Sequence, residues 1–285
     1  MVTGRHVQLP DTRLFVAERG RGMPMIVLHG GPGLDHTIFG THLDALTDHV
    51  RLLLVDQRGQ GRSDAVSLDT VTLSLMARDV SALAAALGLD RYVVMGHSFG
   101  AFVALQHAVD APGAATATII SSGLPSERFL HRIQDELDRF EPEHLRQQVA
   151  DSWTNEQWVE TQEGAAALMR DQLPFHFADP TDPRIAAMVD DLAEAVYSPD
   201  VIRLGAREGY GSIEVEDRLD RITQPVLVMT GRHERTCCVE GSELIAAGIP
   251  GAELVVMEQS AHMAFAEEPE AYVAAVRDFL GRRVV

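Results

Sequence analysis

The sequence contains no lysine, and its overall charge is strongly acidic. Its 285 residues include 24 Lys plus Arg, all of them arginine, against 42 Asp plus Glu, which gives a formal net charge of −18. Proteins that bind nucleic acid usually carry a basic surface, and anionic membranes repel a negative one. We therefore expect neither nucleic acid nor a membrane as a partner. A phosphate-binding Gly-Lys-Ser/Thr loop is excluded because it requires lysine.

Cysteines and long apolar runs are also scarce. The two cysteines, Cys237 and Cys238, are adjacent, and adjacent cysteines rarely bridge each other. No run approaches the roughly 18–20 apolar residues that span a bilayer. Residues 1–22 lack the apolar core with basic flanks that is typical of a signal peptide. These features predict a cytoplasmic protein.

Metal-ligand spacing is absent despite the 12 histidines. The early ones, His29, His36, His42 and His49, lie six or seven residues apart, and no H-E-x-x-H pattern occurs. We therefore expect no metal and no cofactor.

Short apolar runs alternate with longer amphipathic stretches along most of the chain. This alternation predicts an α/β fold with a mostly parallel central sheet and helices on both faces. Residues 5–19 alternate around Pro10-Asp11 and predict an edge hairpin. Helices are expected at Leu73–Leu87, Ala101–Ala108 and Pro269–Leu280. The remaining strands are expected at Met25–Leu28, Arg51–Val55, Arg91–Met95, Thr116–Ser121, Pro225–Thr230 and Leu254–Met257.

The alternation stops between about residues 124 and 216. This stretch is rich in charge and in Trp, Phe and His, with helical periodicity and several Pro breaks. We interpret it as a helical cap inserted into one core domain, which would consist of 1–123 and 217–285. Its aromatic residues are expected either to line an apolar pocket or to pack the cap onto the core: Trp153, Trp158, Phe175, Phe177 and Tyr197.

A nucleophile motif lies between a strand and a helix. Gly96-His97-Ser98-Phe99-Gly100 matches G-x-S-x-G, in the strand–turn–helix setting that the motif requires. The glycines permit a turn too tight for side chains, and a strained backbone at Ser98 would expose its hydroxyl. Ser98 is therefore the candidate nucleophile. Cys237 lacks such a turn.

The base and the acid should come after the nucleophile in the order Ser, acid, His. His262 comes after the last expected strand and is the candidate base. Glu234 comes after the preceding strand and is the favoured acid, and Glu127, after the strand at Thr116–Ser121, is the rival.

The oxyanion of a tetrahedral intermediate needs backbone N–H donors. Phe99, at the start of a helix, supplies one candidate donor. The loop His29-Gly30-Gly31-Pro32-Gly33 supplies the other, from Gly31 or alternatively Gly30. We expect His29 to orient this loop beside the substrate.

Four segments together resemble the proline iminopeptidase branch of the α/β-hydrolase superfamily: His29–Gly33 (HGGPG), Asp56–Ser63 (DQRGQGRS), Gly96–Gly100 and Ser260–Glu268 (SAHMAFAEE). The resemblance covers nearly the whole chain, weakly across the cap. It implies the α/β-hydrolase fold and a metal-independent aminopeptidase that removes N-terminal proline or another small residue.

Such a peptidase needs a carboxylate for the substrate ammonium. Arg235 comes directly after the expected acid and would oppose the ammonium if it lay nearby. The candidate partners in the cap are Glu194, Glu208 and Glu214.

The sequence thus predicts a serine hydrolase with a Ser98–His262–Glu234 triad and a small-molecule or short-peptide substrate. An aminopeptidase is favoured, and a carboxylesterase or lactonase is the alternative on the same fold. A non-catalytic ligand-binding receptor is the alternative of another class.

Overall fold

The computed structural model describes residues 4–284, which form an eight-stranded sheet with helices on both faces. The strands are β1 (Gly4–Gln8), β2 (Arg13–Gly20), β3 (Met23–Leu28), β4 (Val50–Val55), β5 (Val93–His97), β6 (Ala117–Ser121), β7 (Val226–Gly231) and β8 (Glu253–Met257). Their order in the sheet is β1-β2-β4-β3-β5-β6-β7-β8. The first two strands pair antiparallel, β2 is antiparallel to β4, and all later neighbours are parallel.

The predicted edge hairpin is confirmed, with β1 at the edge of the sheet. The strand bounds differ from the predictions by one or two residues. The strand expected at Arg91–Met95 runs instead to His97, which pairs with Ser121 of β6. The strand expected to begin at Pro225 begins at Val226 instead, because proline has no N–H to donate to the sheet. The Pro225 carbonyl still accepts a hydrogen bond from the Thr118 amide.

Apolar side chains of the central strands alternate between two cores, one on each face of the sheet. In β4, Leu53 and Val55 pack in one core and Leu52 and Leu54 in the other. The helices outside the predicted insertion are α1 (Leu73–Ala86), α2 (Phe99–Asp110), α8 (Val239–Gly248), the short α9 (Ala264–Glu267) and α10 (Pro269–Arg283). Residues of α1, α2 and α8 share the first core, and residues of α9 and α10 share the second.

Five helices lie between β6 and β7, in the stretch where the sequence predicts a helical insertion. They are α3 (Arg132–Asp138), α4 (Glu143–Asn155), α5 (Gln162–His176), α6 (Arg184–Asp191) and α7 (Pro199–Arg207). We call the segment that carries them the cap. Its division from the core at 124 and 216 stays a prediction.

Within residues 4–284, no helix combines the length and the apolar character needed to cross a membrane.

Candidate active site

Ser98 lies at a sharp turn between β5 and α2. Its backbone has φ 55° and ψ −121°, a region that L-residues rarely adopt. A Cβ at Gly96 would lie 2.1 Å from the Gly100 carbonyl oxygen, and one at Gly100 would lie 2.3 Å from the Leu28 carbonyl oxygen. Only glycine fits at these two positions, which confirms the steric role that the G-x-S-x-G motif predicts for them.

The loop after β3 lies over this turn. Gly31 has φ +120°, and its peptide bond to Pro32 is cis. A Cβ at Gly30 would lie 3.2 Å from Ser98 Cβ and 3.6 Å from its Oγ, so the loop backbone closely approaches the serine. This geometry brings the backbone of the glycine loop and the start of α2, at Phe99, close to the same serine.

His29 forms hydrogen-bond contacts with this loop and does not line the cavity. Its side chain is fully buried. Its Nδ1 lies 2.7 Å from the Gly30 carbonyl oxygen, and its Nε2 accepts a hydrogen bond from the Gln57 amide. These contacts suit a residue that orients the loop, which is one of the roles expected from the sequence, but His29 does not line the cavity.

Glu234 and His262 meet at the carboxyl end of the sheet. Glu234 Oε2 lies 2.8 Å from His262 Nδ1. Burial by itself would raise the pKa of the Glu234 carboxyl, but His262 and the donors of Thr236 hold that pKa below its ordinary value. The rival acid, Glu127, lies on the exposed surface instead.

Thr236 is a member of this group that the sequence analysis missed. Its Oγ1 lies 2.7 Å from Glu234 Oε1 and 2.8 Å from His262 Nδ1. The Thr236 and Cys237 amides also donate to Glu234 Oε1. The turns in which an acidic side chain bonds the backbone two residues on are formed by Asp or Asn rather than Glu, so no local pattern in the sequence points to Thr236.

Ser98 and His262 line the same cavity, whose volume is about 890 Å³ including its mouth. No hydrogen bond joins Ser98 Oγ to His262 among the described residues, and such bonds often tighten only with substrate bound. Most of the lining is apolar, including Ile38, Phe102, Leu168, Met169 and Ile202.

The cap carboxylates predicted from the sequence lie elsewhere. Glu194, Glu208 and Glu214 are exposed, and none lines the cavity. Glu214 accepts a hydrogen bond from Ser126, and the Glu194 carbonyl accepts one from Arg62. The expectation that these three glutamates contact the substrate is therefore wrong. It relied on their position in the cap, and position in the sequence does not determine which side of a helix or loop faces the core.

Glu156, which the sequence analysis did not single out, is the cap carboxylate on the cavity wall. It is 8% exposed. Gln172 Nε2 and the Tyr210 hydroxyl donate to its two oxygens, each at 2.7 Å. Burial raises the pKa of Glu156, and these two donors oppose the shift.

Arg235 does not line the cavity. Its guanidinium donates to the carbonyls of Phe175, Phe177 and Ala178 and lies over the Phe140 ring. The sequence suggested that the positive charge of Arg235 would repel a substrate ammonium if it lay nearby. The structure places that charge away from the cavity wall.

The cap aromatics divide between the two predicted roles. Trp153 lines the cavity. Phe175 and Phe177 are fully buried, and Tyr197 is nearly so, away from the cavity. Trp158 is 65% exposed and does neither.

A buried cluster joins the cap to the glycine loop. Asp35, His36 and Asp56 bring three potential metal ligands together. Arg62 forms an ion pair with Asp35, and the carboxylates accept hydrogen bonds from backbone amides. We regard it as a structural junction, because Asp35 also accepts from the amide of Val196 in the cap.

Together, the strand order, the turn at Ser98 and the helices on both faces define the α/β-hydrolase fold. The sequence profile described as "Alpha/beta hydrolase family" matches residues 25–275. The chain belongs to this family.

Named relatives differ in what they act on. The chain is 28% identical over 275 residues to a proline iminopeptidase of Heyndrickxia coagulans, covering 92% of each chain. It is 26% identical to a putative carbamate hydrolase, RutD, of Caulobacter sp. (strain K31), covering 90% of each. An esterase structure from Exiguobacterium antarcticum superposes with a TM-score of 0.76 at 21% identity, covering 98% of this chain and 100% of that one. The predicted likeness to proline iminopeptidases is thus confirmed, and the substrate is left open.

Proposed function

We propose that the protein is a serine hydrolase that works through an acyl-enzyme. Ser98 Oγ attacks the substrate carbonyl while His262 takes its proton, and Glu234 holds the imidazole in the required tautomer. The amides of Phe99 and of Gly31 stabilise the oxyanion. His262 then protonates the leaving group, and water repeats the sequence to release the acid product.

We propose further that the substrate is a small N-terminal aminoacyl amide. The observation that carries this choice is the buried carboxylate of Glu156 on an otherwise mainly apolar wall. Transfer of an ammonium group from water into such a cavity costs much free energy unless a buried group of opposite charge lies next to it. A bound ammonium would also favour ionised Glu156 over the neutral acid that burial promotes.

An ester or lactone hydrolase is the second candidate, supported by a separate observation. Each Glu156 oxygen already accepts one hydrogen bond from the protein, and burial raises the pKa of this carboxyl. A neutral Glu156 would suit an uncharged acyl group. A receptor that binds ligand without turnover is the third candidate.

The test compares proline and alanine anilides, each with a free or an acetylated amine, against short-chain aryl esters. For the aminopeptidase we expect turnover only of anilides with a free amine, and none by Ser98→Ala. Glu156→Gln should lower kcat/KM for those anilides by about 10²-fold, from loss of a buried charge partner, and leave aryl ester turnover nearly unchanged.

Exposed Glu160, four residues along the cap, provides the matched control. Glu160→Gln should leave kcat/KM for both substrate classes unchanged. Ester turnover without any anilide turnover would contradict the aminopeptidase and favour the second candidate. No turnover of either class would favour the receptor.

A further inference from the structure

One face of the cap helix α7 packs along the glycine loop, residues 29–33. Ser198, directly before this helix, and Ile202 and Gly205 within it are spaced four and three residues apart, so they lie on the same face. The Ser198 amide donates to the Gly33 carbonyl at 2.8 Å. A Cβ at Gly33 would lie 2.3 Å from Ile202 Cγ1 and 3.0 Å from the Ile202 amide nitrogen. The helix therefore lies directly against the loop backbone.

Gly205 is the residue of this face that meets Pro32. A Cβ at Gly205 would lie 2.5 Å from Pro32 Cγ and 3.1 Å from Pro32 Cδ. Gly205 is buried and lies inside the helix, where alanine is normally more favourable than glycine. Its backbone does not have a positive φ, so its conformation does not call for glycine. The close approach of Pro32 is what requires glycine here.

The Pro32 ring cannot turn away from an added side chain. Its carbons are bonded back to the backbone nitrogen, so a displaced ring displaces the loop backbone with it. Two carbon atoms make van der Waals contact at about 3.5–4.0 Å. A methyl group at Gly205 would therefore have to push α7 and the loop apart by about 1 Å.

Two arginines hold α7 in place through contacts with another part of the cap. Arg203 donates to the Val159 carbonyl, and Arg207 donates to the Gln157 carbonyl at 3.1 Å. These bonds attach α7 to the segment that follows α4. Because withdrawal of the helix would strain them, part of any displacement falls on the glycine loop.

We propose that Gly205 is a positioning residue for the oxyanion donor of the glycine loop. The missing side chain lets α7 lie against Pro32, and this contact fixes the backbone of Gly31, the residue directly before it. The inference rests on the proposed function, in which the Gly31 amide binds the oxyanion. Such a donor acts only at hydrogen-bond distance from the oxygen that becomes charged. A cap helix thus sets the geometry of a catalytic group in the core.

Gly205→Ala tests this role with a p-nitrophenyl ester as substrate. Misplacement of the loop acts on the transition state, in which the oxyanion is charged, more than on the bound substrate. We expect kcat and kcat/KM to fall together by about 10–10²-fold, with KM within about twofold of the parent value. An ester is used because its turnover does not depend on Glu156. Tyr210, which donates to Glu156, lies 3.6 Å from a Cβ at Gly205 and is disturbed as well.

A pair of inhibitors measures the same effect at equilibrium. An aryl trifluoromethyl ketone is attacked by Ser98 Oγ, whose proton passes to His262, and it forms a tetrahedral adduct with a charged oxygen. The matching aryl methyl ketone stays planar and unreacted. Gly205→Ala should weaken binding of the trifluoromethyl ketone by about 10–10²-fold and that of the methyl ketone by less than about twofold. A general change in cavity shape would instead weaken both.

Gly248→Ala is the matched control. Gly248 is the last residue of α8, and a Cβ there would lie 2.6 Å from Leu219 Cδ1, so this substitution also crowds a helix glycine. Neither Gly248 nor Leu219 lines the cavity. We expect Gly248→Ala to keep the parent values of kcat, KM and both inhibition constants. Urea denaturation verifies that both variants are folded.

A second background keeps the test decisive if Gly205→Ala folds poorly. Pro32→Ala removes the two ring carbons that the added methyl group would meet. In this background Gly205→Ala should neither lower the free energy of unfolding nor change the ratio of the two inhibition constants any further. An equal loss in both backgrounds would locate the effect outside this contact and overturn the proposal.

Unchanged kinetics in Gly205→Ala, or equal weakening of both ketones, would overturn the role of Gly205 while the serine hydrolase mechanism stands. No turnover of ester or anilide by the parent protein, or turnover that survives Ser98→Ala, would overturn the proposed function and this inference with it.

Discussion

The Oε2 atom of Glu234 lies 2.8 Å from Nδ1 of His262, and both side chains are buried. With Nδ1–H bound in this way, Nε2 is the imidazole nitrogen that remains free to accept a proton in the cavity. Thr236 supports the pair by contacting both partners.

Replacing Glu234 with Gln should therefore impair catalysis far more than folding. We expect Glu234→Gln to lower kcat by about 10²–10⁴-fold, because the amide no longer stabilises the imidazolium or fixes its tautomer. Glu234→Asp, which keeps the charge on a shorter arm, should retain more activity. Steady-state kinetics on the best substrate checks both variants. A larger loss in Glu127→Gln than in Glu234→Gln would contradict the assignment of the acid.

A methyl group at Gly96 should disrupt the turn that carries Ser98. The added Cβ would lie 2.1 Å from a backbone carbonyl oxygen, which no side-chain rotation can relieve. We expect Gly96→Ala to lower the free energy of unfolding by about 2–4 kcal/mol and to abolish turnover. Urea denaturation provides the measurement, and Gly281→Ala, where a Cβ meets nothing within 4 Å, provides the control. Equal stability of the two variants would contradict this prediction.

Acidification should destabilise the fold through its buried histidines. Burial lowers the pKa of His107 to about 4 and that of His176 to about 3. The unfolded chain binds protons at these residues near pH 6.5 and the folded chain does not. Stability is therefore lost as the pH falls below about 6.5, by about 1.4 kcal/mol per pH unit for each such histidine.

Urea unfolding at pH 7.5 and 5.5 measures this loss. His107→Phe removes one of these titrating groups without touching the cavity. It should reduce the difference between the two pH values by about 1.4 kcal/mol. An unchanged difference would show that His107 is protonated in the folded protein.

Loss of Arg62 should loosen the attachment of the cap to the glycine loop. Its guanidinium pairs with fully buried Asp35 and donates to the Glu194 carbonyl, and Asp35 accepts from the Val196 amide. Arg62→Met leaves the Asp35 carboxylate buried without a cation, which should cost about 3–5 kcal/mol. We expect faster hydrogen exchange at Val196, and no such change in Arg21→Met, where the arginine is exposed. Unchanged exchange at Val196 would contradict this attachment.

Features that arise from local rules and chain order are the ones the sequence predicts best. The alternation of strands and helices predicts the parallel sheet, because each strand must be buried on both faces. Ser98 is predicted from its turn, and His262 and Glu234 are predicted from their places after successive strands. All three meet at one sheet edge because parallel strands place their carboxyl ends there.

Features that depend on how the cap packs are not predicted by the sequence. Glu156 and Glu208 look alike in the sequence, yet only Glu156 lines the cavity. That difference arises from long-range contacts, such as the hydrogen bond from the Tyr210 hydroxyl to Glu156, which spans 54 residues. No local periodicity encodes such a pairing.

The most direct test of the central claim is covalent labelling of the nucleophile. The protein is incubated with an alkyl fluorophosphonate, which reacts with an activated serine, and the adduct is located by peptide mass spectrometry. We predict one adduct per chain, on Ser98, and none in Ser98→Ala. No adduct, or an adduct on another residue such as Cys237, would contradict the assignment of Ser98 as the nucleophile of a serine hydrolase.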